Sequence, residues 1–255
     1  MATTIRDIRG REDSFLLDKT SFMAIPNAYP RLDKDIVDFD CAASIENDYL
    51  PRIQDLILEL VKGSKRVVVF DYTVRHASKE KAPASQVRKI HIDQSPLGAF
   101  GRVRRHLGQD DTARILAGHQ RFRIINAWKP ICGPLKDHPL AFADCQSLRE
   151  TDLVKVKQVY PDYTGETYAV KRHPLQRFWY WSQMTPADVL LLQCFDSYTV
   201  SPTDVAGLVH SQCAHGSFEL DDTGGETYER ASIEVRCLVL CETGLQTEKV
   251  DRSVF

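Results

Sequence analysis

The sequence predicts a mainly β fold with flanking helices, organised as one domain. Short segments of β-branched and aromatic residues dominate the second two-thirds of the chain, and Gly and Pro residues separate them. Helical segments lie before and around these strands rather than alternating with them, which disfavours a doubly wound parallel sheet. We therefore expect a single domain over residues 1–255, with a helical part over about 1–65 and a β-sandwich or barrel core over about 66–241.

Three helices are predicted from apolar residues that recur at three- and four-residue steps. The clearest covers residues 49–61, where Asp48 is a candidate cap and Gly63 a stop signal. The others cover residues 97–107 and 147–159. Strands are predicted where short β-branched or aromatic runs occur, at residues 66–73, 87–93, 121–128, 178–181, 189–195 and 230–240.

The composition excludes several classes of function. The 255 residues include 33 Lys and Arg against 35 Asp and Glu, a formal net charge of -2, which provides no electrostatic footprint for a nucleic acid or an anionic membrane. No run of about 18 apolar residues is present, and the charged start of the chain lacks the apolar region of a secretory signal. The seven cysteines have no metal-binding spacing and are interpreted as reduced thiols, so we expect a cytoplasmic location.

A candidate metal site begins with a His and an Asp that alternate with isoleucines in residues 90–93 (IHID). On a strand, His91 and Asp93 project from one face and the isoleucines from the other. An imidazole and a carboxylate side by side supply two of the three ligands of the triad that holds Fe(II) and leaves positions open. His215 and His210 are both candidates for the third ligand, and strand periodicity favours His215. The competing interpretation is an exposed His–Asp pair on a half-solvated strand.

The last predicted strand carries a second constellation. Arg230, Ser232, Glu234 and Arg236 share one face, and apolar residues occupy the other. The polar face is either solvated or turned into a polar cavity. In a cavity, an Arg guanidinium and a Ser hydroxyl would hold the distal end of a dicarboxylate. The order of His-x-Asp, a distant His and Arg-x-Ser resembles that of Fe(II)/2-oxoglutarate oxygenases, which have a double-stranded β-helix (jelly-roll, cupin-like) core.

The wider sequence resembles the fungal and bacterial secondary-metabolism oxygenases grouped with the cephalosporin 7α-methoxylase component, the gibberellin desaturase and the aspergillic acid hydroxylase/desaturase. The resemblance covers nearly the whole chain. The matching blocks are residues 7–10 (DIRG), 68–71 (VVFD), 74–75 (VR), 90–94 (IHIDQ), 123–130 (RIINAWKP), 139–141 (PLA) with Asp144, 178–181 (FWYW), 195–197 (FDS), 215–218 (HGSF) and 230–236 (RASIEVR).

This resemblance implies roles for the candidate residues. His91, Asp93 and His215 would be the iron ligands, because the block that holds His215 supplies the distal ligand in that family. Arg230 and Ser232 would bind the distal carboxylate of 2-oxoglutarate.

The activity implied by the resemblance is oxidation of a small secondary-metabolism intermediate in a mostly apolar pocket. Fe(II), 2-oxoglutarate and O₂ would be required, with ascorbate as a candidate reductant. Oxidative decarboxylation of the keto acid would give an iron(IV)-oxo species that hydroxylates, desaturates or cyclises the substrate. Two features depart from the family: Lys129 stands where Arg is frequent, and residues 221–229 are rich in Gly and acidic residues.

Two alternative functions use the same residues differently. A cupin-like divalent-metal hydrolase or isomerase would use the same three ligands, but would leave Arg230 and Ser232 without an assigned partner. A non-catalytic partner subunit of an oxygenase would keep the fold without turnover, although the intact triad argues against it. A homo-oligomer or a complex with a partner protein is compatible with either function.

Residues 121–128 are the next candidate wall of the site. If they form a strand beside the His-x-Asp strand, Asn126 and Trp128 share a face, and Asn126 could donate a hydrogen bond to a metal-bound carboxylate. We assign both residues to cofactor binding. The competing interpretation is that they shape the core and the turn before Pro130.

The sequence allows two roles for each of three further charged residues. Arg121 and Arg123 either form ion pairs or act in catalysis, and Asp196 either orients a histidine or caps a turn. The aromatic residues 178–181 are expected in the core rather than against a substrate. A lid or rim loop around Gly165 is expected to carry Tyr160, Tyr163 and Tyr168.

Overall fold

A computed structural model describes residues 3–28, 37–76, 88–198, 211–220 and 230–242. The helices are α1 (Leu17–Thr20), α2 (Ala42–Ser44), α3 (Leu50–Leu60), α4 (Pro96–His106) and α5 (Gln109–Leu116), and a π-helical turn, Ile45–Tyr49, leads into α3. The strands are β1 (Ile5–Asp7), β2 (Phe22–Ile25), β3 (Ser64–His76), β4 (His91–Ile92), β5 (Arg121–Pro130), β6 (Leu140–Ala143), β7 (Leu153–Val159), β8 (Thr164–Val170), β9 (Phe178–Tyr180), β10 (Val189–Asp196), β11 (His215–Ser217) and β12 (Ala231–Cys241).

These strands form two sheets that pack against each other. The seven-stranded sheet has the order β1-β9-β6-β11-β4-β8-β7, and the five-stranded sheet has the order β2-β10-β5-β12-β3. β1 pairs in parallel with β9, and the other pairs are antiparallel. The first 65 residues were expected to be helical, but β1 and β2 join one sheet each, so this part of the chain also builds the β core.

The five-stranded sheet separates two apolar layers. On its outer face, alternate residues of β12 such as Ile233 and Val235 pack with Ile53 and Leu56 of α3. On its inner face, Trp128, Leu190 and Leu192 meet Phe142 and Trp179 of the other sheet. α3 has one apolar stripe, and β5 and β10 are buried on both faces because their successive side chains point into opposite layers. α4 and α5 bury apolar residues against a third cluster, formed with β5, β10 and β12.

Two of the three predicted helices are confirmed. The helix expected at residues 49–61 is α3, and the one expected at 97–107 is α4. The helix expected at 147–159 is wrong: short 3₁₀ turns at Cys145–Ser147 and Glu150–Asp152 precede strand β7. β7 is an edge strand that exposes most of its side chains. Its valines alternate with lysines, which fits a strand and not the apolar stripe of a helix.

The predicted strands at 66–73, 121–128, 178–181, 189–195 and 230–240 correspond to β3, β5, β9, β10 and β12. The aromatic residues 178–181 were predicted in the core, and three of them, Phe178, Trp179 and Trp181, are buried. The strand predicted at 87–93 begins outside the described residues, and within them it covers only the two residues of β4. No helix in the described part of the chain is long and apolar enough to cross a membrane.

Candidate metal centre

Two short strands place the candidate histidines side by side. β4 and β11 are antiparallel neighbours in which His91 lies directly opposite His215, and the ring centroids are 4.6 Å apart. Asp93 follows β4 immediately, and its Oδ1 lies 3.1 Å from His91 Nε2 and 3.7 Å from His215 Nε2. One ligand atom from each residue lies within 4.8 Å of the others. The structure therefore gathers the three residues that the sequence analysis selected.

Close backbone packing holds these strands in place. A Cβ atom at Gly216 would lie 3.2 Å from Lys89 O and from Ile90 Cδ1, so a glycine beside His215 lets β11 approach the segment before β4. After Asp93, Ser95 caps α4 because its Oγ accepts a hydrogen bond from Gly98 N at 3.1 Å. The same hydroxyl donates to Glu166 Oε1 at 2.7 Å, which ties the start of α4 to β8.

The backbone also selects the tautomer of each histidine. His91 Nδ1 lies 2.9 Å from Lys89 O, and His215 Nδ1 lies 3.1 Å from Cys213 O. A carbonyl oxygen only accepts hydrogen bonds, so both imidazoles donate from Nδ1 and direct Nε2 toward Asp93. This is the arrangement of metal-ligating histidines, in which the second nitrogen is held by a backbone or carboxylate oxygen.

The charges of the three residues suit a cation. Burial lowers the pKa of His215, and the neighbouring His91 lowers it further. Burial alone would raise the pKa of Asp93, but the hydrogen bond from His91 and the charges of His215 and Arg236 hold it well below its usual value. Burial would lower the pKa of His91, but its hydrogen bond and charge interaction with Asp93 raise it. An ionised carboxylate and a neutral His215 are the forms in which these groups bind metals.

The opposite wall of the site comes from the five-stranded sheet. Asn126 was expected on a strand beside the His-x-Asp strand, but β5 lies in the other sheet and faces it. The expected contact is nevertheless present, since Asn126 Nδ2 donates to Asp93 Oδ2 at 2.7 Å. Arg236 Nε also donates to Asp93 Oδ2, at 3.3 Å, and Glu234 Oε1 lies 3.9 Å from His215 Nε2.

Glu234 and Arg236 are site residues to which sequence reasoning gave no role. The available signal was the alternation of polar side chains along β12, a strand whose other face is apolar. The structure turns this polar face inward, with Ser232 1% and Glu234 8% exposed. This polar face is therefore buried inside the molecule, and the solvated-face alternative is wrong.

Arg230 and Trp128 lie together at another part of this inner face. Arg230 is 5% exposed, and its guanidinium carbon lies 5.4 Å from the ring centroid of Trp128. Its Nη1 donates to His138 O at 2.6 Å. Burial, and then the charge of Arg75, lowers the pKa of Arg230 to about 10. Ser232 follows two residues later on the same face.

The surroundings of Arg230 fit a carboxylate ligand. Within the described ranges, buried Arg123 forms an ion pair with Asp18 and Arg236 one with Asp71, whereas Arg230 has no ion pair within 4 Å and the charges of Asp137 and Glu234 only partly offset its burial. A cavity of about 190 Å³, lined by Arg230 and residues 132–137, lies beside it. Burying a guanidinium without a charged partner is costly, so a bound dicarboxylate would remove that cost.

Several other candidates lie away from the triad. Arg121 Nε donates to Asp196 Oδ1 at 3.0 Å, and Arg123 lies 3.8 Å from the same carboxylate, so the ion-pair interpretation of both arginines is confirmed. Asp196 Oδ1 also accepts from Tyr198 N at 3.0 Å, which supports its role as a turn cap rather than a histidine partner.

The loop expected near Gly165 is the short turn of the β7–β8 hairpin: Tyr160 and Tyr163 lie in this turn, whereas Tyr168 lies on β8. Tyr163 contacts Arg102 and Arg105 through its ring, and Tyr168 packs in a cluster on the seven-stranded sheet with Ile92. His210 and residues 221–229 lie outside the described residues.

Comparisons with known proteins agree with this geometry. A family model described as an oxidoreductase/YMDC permease-like domain matches residues 1–240. The hydroxylase/desaturase efuI of Hormonema carpetanum is 30% identical over 264 residues, covering 93% of this chain and 83% of that protein. The Fe(II)/2-oxoglutarate-dependent dioxygenase nvfI of Aspergillus novofumigatus is 28% identical over 237 residues, covering 91% of this chain and 81% of that protein.

A solved structure of the iron and alpha-ketoglutarate-dependent endoperoxidase NvfI superposes with a TM-score of 0.80 at 25% identity, covering 94% of this chain and 85% of that one. The fold is thus the predicted jelly roll, and together with the triad it defines an oxidoreductase of the non-haem oxygenase class. Within that class, the chain belongs to the hydroxylase/desaturase family of Fe(II)- and 2-oxoglutarate-dependent oxygenases.

Proposed function

We propose that His91, Asp93 and His215 hold the Fe(II) of this oxygenase. The observation that carries the proposal is the convergence of His91 Nε2, His215 Nε2 and Asp93 Oδ1, with 3.1 Å and 3.7 Å between the carboxylate oxygen and the two nitrogens. Two imidazoles and one carboxylate form the facial donor set of non-haem Fe(II) oxygenases. Fe(II) bound here would supply O₂ activation with 2-oxoglutarate as co-substrate.

Arg230 and Ser232 bind the distal carboxylate of 2-oxoglutarate in this proposal. The guanidinium offers paired N–H donors to a carboxylate, and the Ser hydroxyl adds a third donor. Trp128 lies beneath the guanidinium and fixes its plane. Asn126 orients Asp93, so that Asn126 and Trp128 of β5 both support the cofactor-binding residues from the inner face of the five-stranded sheet.

The substrate is a small molecule that is hydroxylated, desaturated or cyclised. We propose a secondary-metabolism intermediate, as the resemblance of the sequence to the secondary-metabolism oxygenases implies. All seven cysteines are free thiols, which supports a cytoplasmic location. The single domain over residues 1–255 is supported by β1 and β12, which join the two sheets from opposite ends of the chain. A homo-oligomer or a partner protein stays a prediction, which sedimentation velocity would test.

The metal assignment is tested by anaerobic equilibrium dialysis with Fe(II). The full chain should bind one Fe(II), and His91→Ala or His215→Ala should abolish binding, because two remaining ligands do not hold the ion. His119→Ala is the matched control, since His119 is exposed and should leave the stoichiometry unchanged. Unchanged iron occupancy in either triad variant would contradict the ligand set.

A further inference from the structure

The two oxygens of Asp93 have different surroundings. Oδ1 faces the histidines, 3.1 Å from His91 Nε2 and 3.7 Å from His215 Nε2. Oδ2 faces the opposite sheet, where it accepts hydrogen bonds from Asn126 Nδ2 at 2.7 Å and from Arg236 Nε at 3.3 Å. One oxygen is therefore directed to the proposed metal position, and the other is held by two donors.

These two donors are neighbours in the five-stranded sheet. Arg236 of β12 lies directly opposite Asn126 of β5, so both side chains leave the same face at the same level. Glu234 joins them: its Oε1 accepts from Asn126 Nδ2 at 3.1 Å, and its Oε2 accepts from Arg236 Nη2. A single carboxylate thus orients both groups that hold Asp93 Oδ2.

Arg236 is also held from its other side. Its Nη1 donates to Asp71 Oδ2 and to Thr73 Oγ1, each at 3.0 Å, on neighbouring strand β3. With Nε on Asp93 and Nη2 on Glu234, each nitrogen of the guanidinium has an assigned acceptor. A planar guanidinium whose three nitrogens all donate hydrogen bonds has little freedom to rotate. It therefore fixes the Asp93 carboxylate in one orientation.

The charges in this network favour a cation beside it. Asp93, Glu234 and Asp71 share one guanidinium, which leaves an excess of negative charge when all three carboxylates are ionised. A divalent cation between His91, His215 and Asp93 Oδ1 would balance that excess. Glu234 Oε1 lies 3.9 Å from His215 Nε2, but both oxygens of Glu234 already accept hydrogen bonds, from Asn126 and from Arg236.

We propose that Glu234 and Arg236 are positioning residues of the metal centre, which hold Asp93 Oδ2 so that Asp93 offers only Oδ1 to the ion. This inference rests on the proposed metal site and adds residues that the three ligands do not include. Hydrogen-bonded partners of metal ligands typically contribute 10- to 100-fold to metal affinity. Arg236 acts through its guanidinium, which donates to Asp93 and to Glu234. Glu234 acts through its two oxygens, which accept from Asn126 and from Arg236.

The test uses Co(II) as a spectroscopic probe of the full chain, titrated while its visible absorption is recorded. Arg236→Met should weaken Co(II) binding about 10- to 100-fold and change the shape of the Co(II) bands, because Asp93 loses its fixed orientation. Glu234→Gln keeps the size and one acceptor oxygen, so about a tenfold loss is expected. Arg236→Lys should fall between Arg236→Met and the unaltered chain, since it restores the charge without the fork.

Arg123→Met is the matched control. Arg123 is a buried arginine on a neighbouring strand whose partners, Asp18 and Asp196, lie away from the triad. Its loss should lower the unfolding midpoint while leaving the Co(II) affinity and spectrum unchanged. A merely structural role for Arg236 would make the two arginine variants behave alike.

The outcomes separate this inference from the proposed function. If the unaltered chain binds no Co(II) or Fe(II), the proposed metal site is wrong. If it binds Co(II) and both Arg236→Met and Glu234→Gln keep its affinity and spectrum, the positioning role is wrong and the metal site stands. Should Arg236→Met fail to fold, Glu234→Gln and Arg236→Lys carry the same comparison.

Discussion

The two faces of the five-stranded sheet both bury cations, but they surround them differently. On the inner face, Arg236 donates to Asp93, Glu234 and Asp71. On the outer face, Lys129 is fully buried, and its Nζ has no hydrogen-bond partner among the residues that the structure describes. Its ammonium lies 5.6 Å from each of two ring centroids, those of Phe39 and Tyr49.

The pKa values of these cations follow their surroundings. Burial alone would lower the pKa of Arg236, but Glu234 and Asp93 outweigh it and raise the pKa. Burial lowers the pKa of Lys129 to about 8, with nothing to oppose it. Arg230 is intermediate: burial lowers its pKa to about 10, and the charges of Asp137 and Glu234 oppose that change only in part. This incomplete compensation is what we expect of the proposed carboxylate-binding position.

The largest effect in this comparison is expected from Arg230→Met. Removing one partner of a buried charge pair typically costs 2–5 kcal/mol, so the affinity for 2-oxoglutarate should fall about 100-fold. Fe(II) should still bind, because Arg230 is not among the metal ligands. Calorimetric titration of the anaerobic Fe(II) form with 2-oxoglutarate measures the change, and an unaltered affinity would place the anchor elsewhere.

A smaller effect is expected at Lys129. Its substitution should stabilise the folded protein, whereas substitution of Arg230 should weaken ligand binding. The change of its pKa from 10.5 to about 8 corresponds to about 3 kcal/mol against the folded state. Two cation–π contacts of about 0.5–1 kcal/mol each offset part of this cost. Lys129→Met should therefore raise the free energy of unfolding at neutral pH by about 2 kcal/mol. Urea denaturation of both proteins measures the difference.

The pH dependence gives Lys129→Met a second readout. Between about pH 8 and pH 10.5 the unfolded chain keeps the Lys129 proton that the folded chain has lost, so the stability of the unaltered protein rises with pH in this window. Below pH 8 both states are protonated and the full cost remains. The stability advantage of Lys129→Met should thus be constant at neutral pH and shrink above pH 8. A constant advantage across this range would show that the substitution acts through packing alone.

The smallest effect is expected at Trp128. Trp128→Phe keeps an aromatic ring beneath Arg230 but weakens the cation–π contact, which should reduce 2-oxoglutarate affinity about two- to fivefold. Trp181→Phe is the matched control, because its ring lies 4.8 Å from Arg9 rather than from Arg230. Equal losses in the two variants would show that the effect is a general consequence of core packing.

Long strands with strict alternation could be predicted from the sequence, and very short ones could not. β12 has eleven residues, and over residues 231–237 its apolar outer face and its polar inner face follow from period-two spacing. β11 has three residues and β4 has two, which is too little for a periodic signal. Their histidines were selected by ligand chemistry and family resemblance together with the alternation expected of a longer strand over residues 87–93. The exposed edge strand β7 was predicted as a helix because burial imposes no apolar pattern on it.

The triad was accessible to sequence reasoning, but the network behind it was not. His91 and Asp93 are two residues apart, so strand geometry alone brings them together. Arg236 is 143 residues from Asp93, and its contact depends on how the two sheets face each other. Local periodicity places Glu234 and Arg236 on one face, but only the packed structure shows which side chain that face meets.

We propose that this site would hold Fe(II) and 2-oxoglutarate together. The most direct measurement is anaerobic addition of 2-oxoglutarate to the Fe(II)-loaded chain while the visible spectrum is recorded. We expect a weak metal-to-ligand charge-transfer band in the unaltered protein, and the same band only at much higher keto-acid concentration in Arg230→Met. Absence of the band from a chain shown to contain stoichiometric Fe(II) would contradict the assignment.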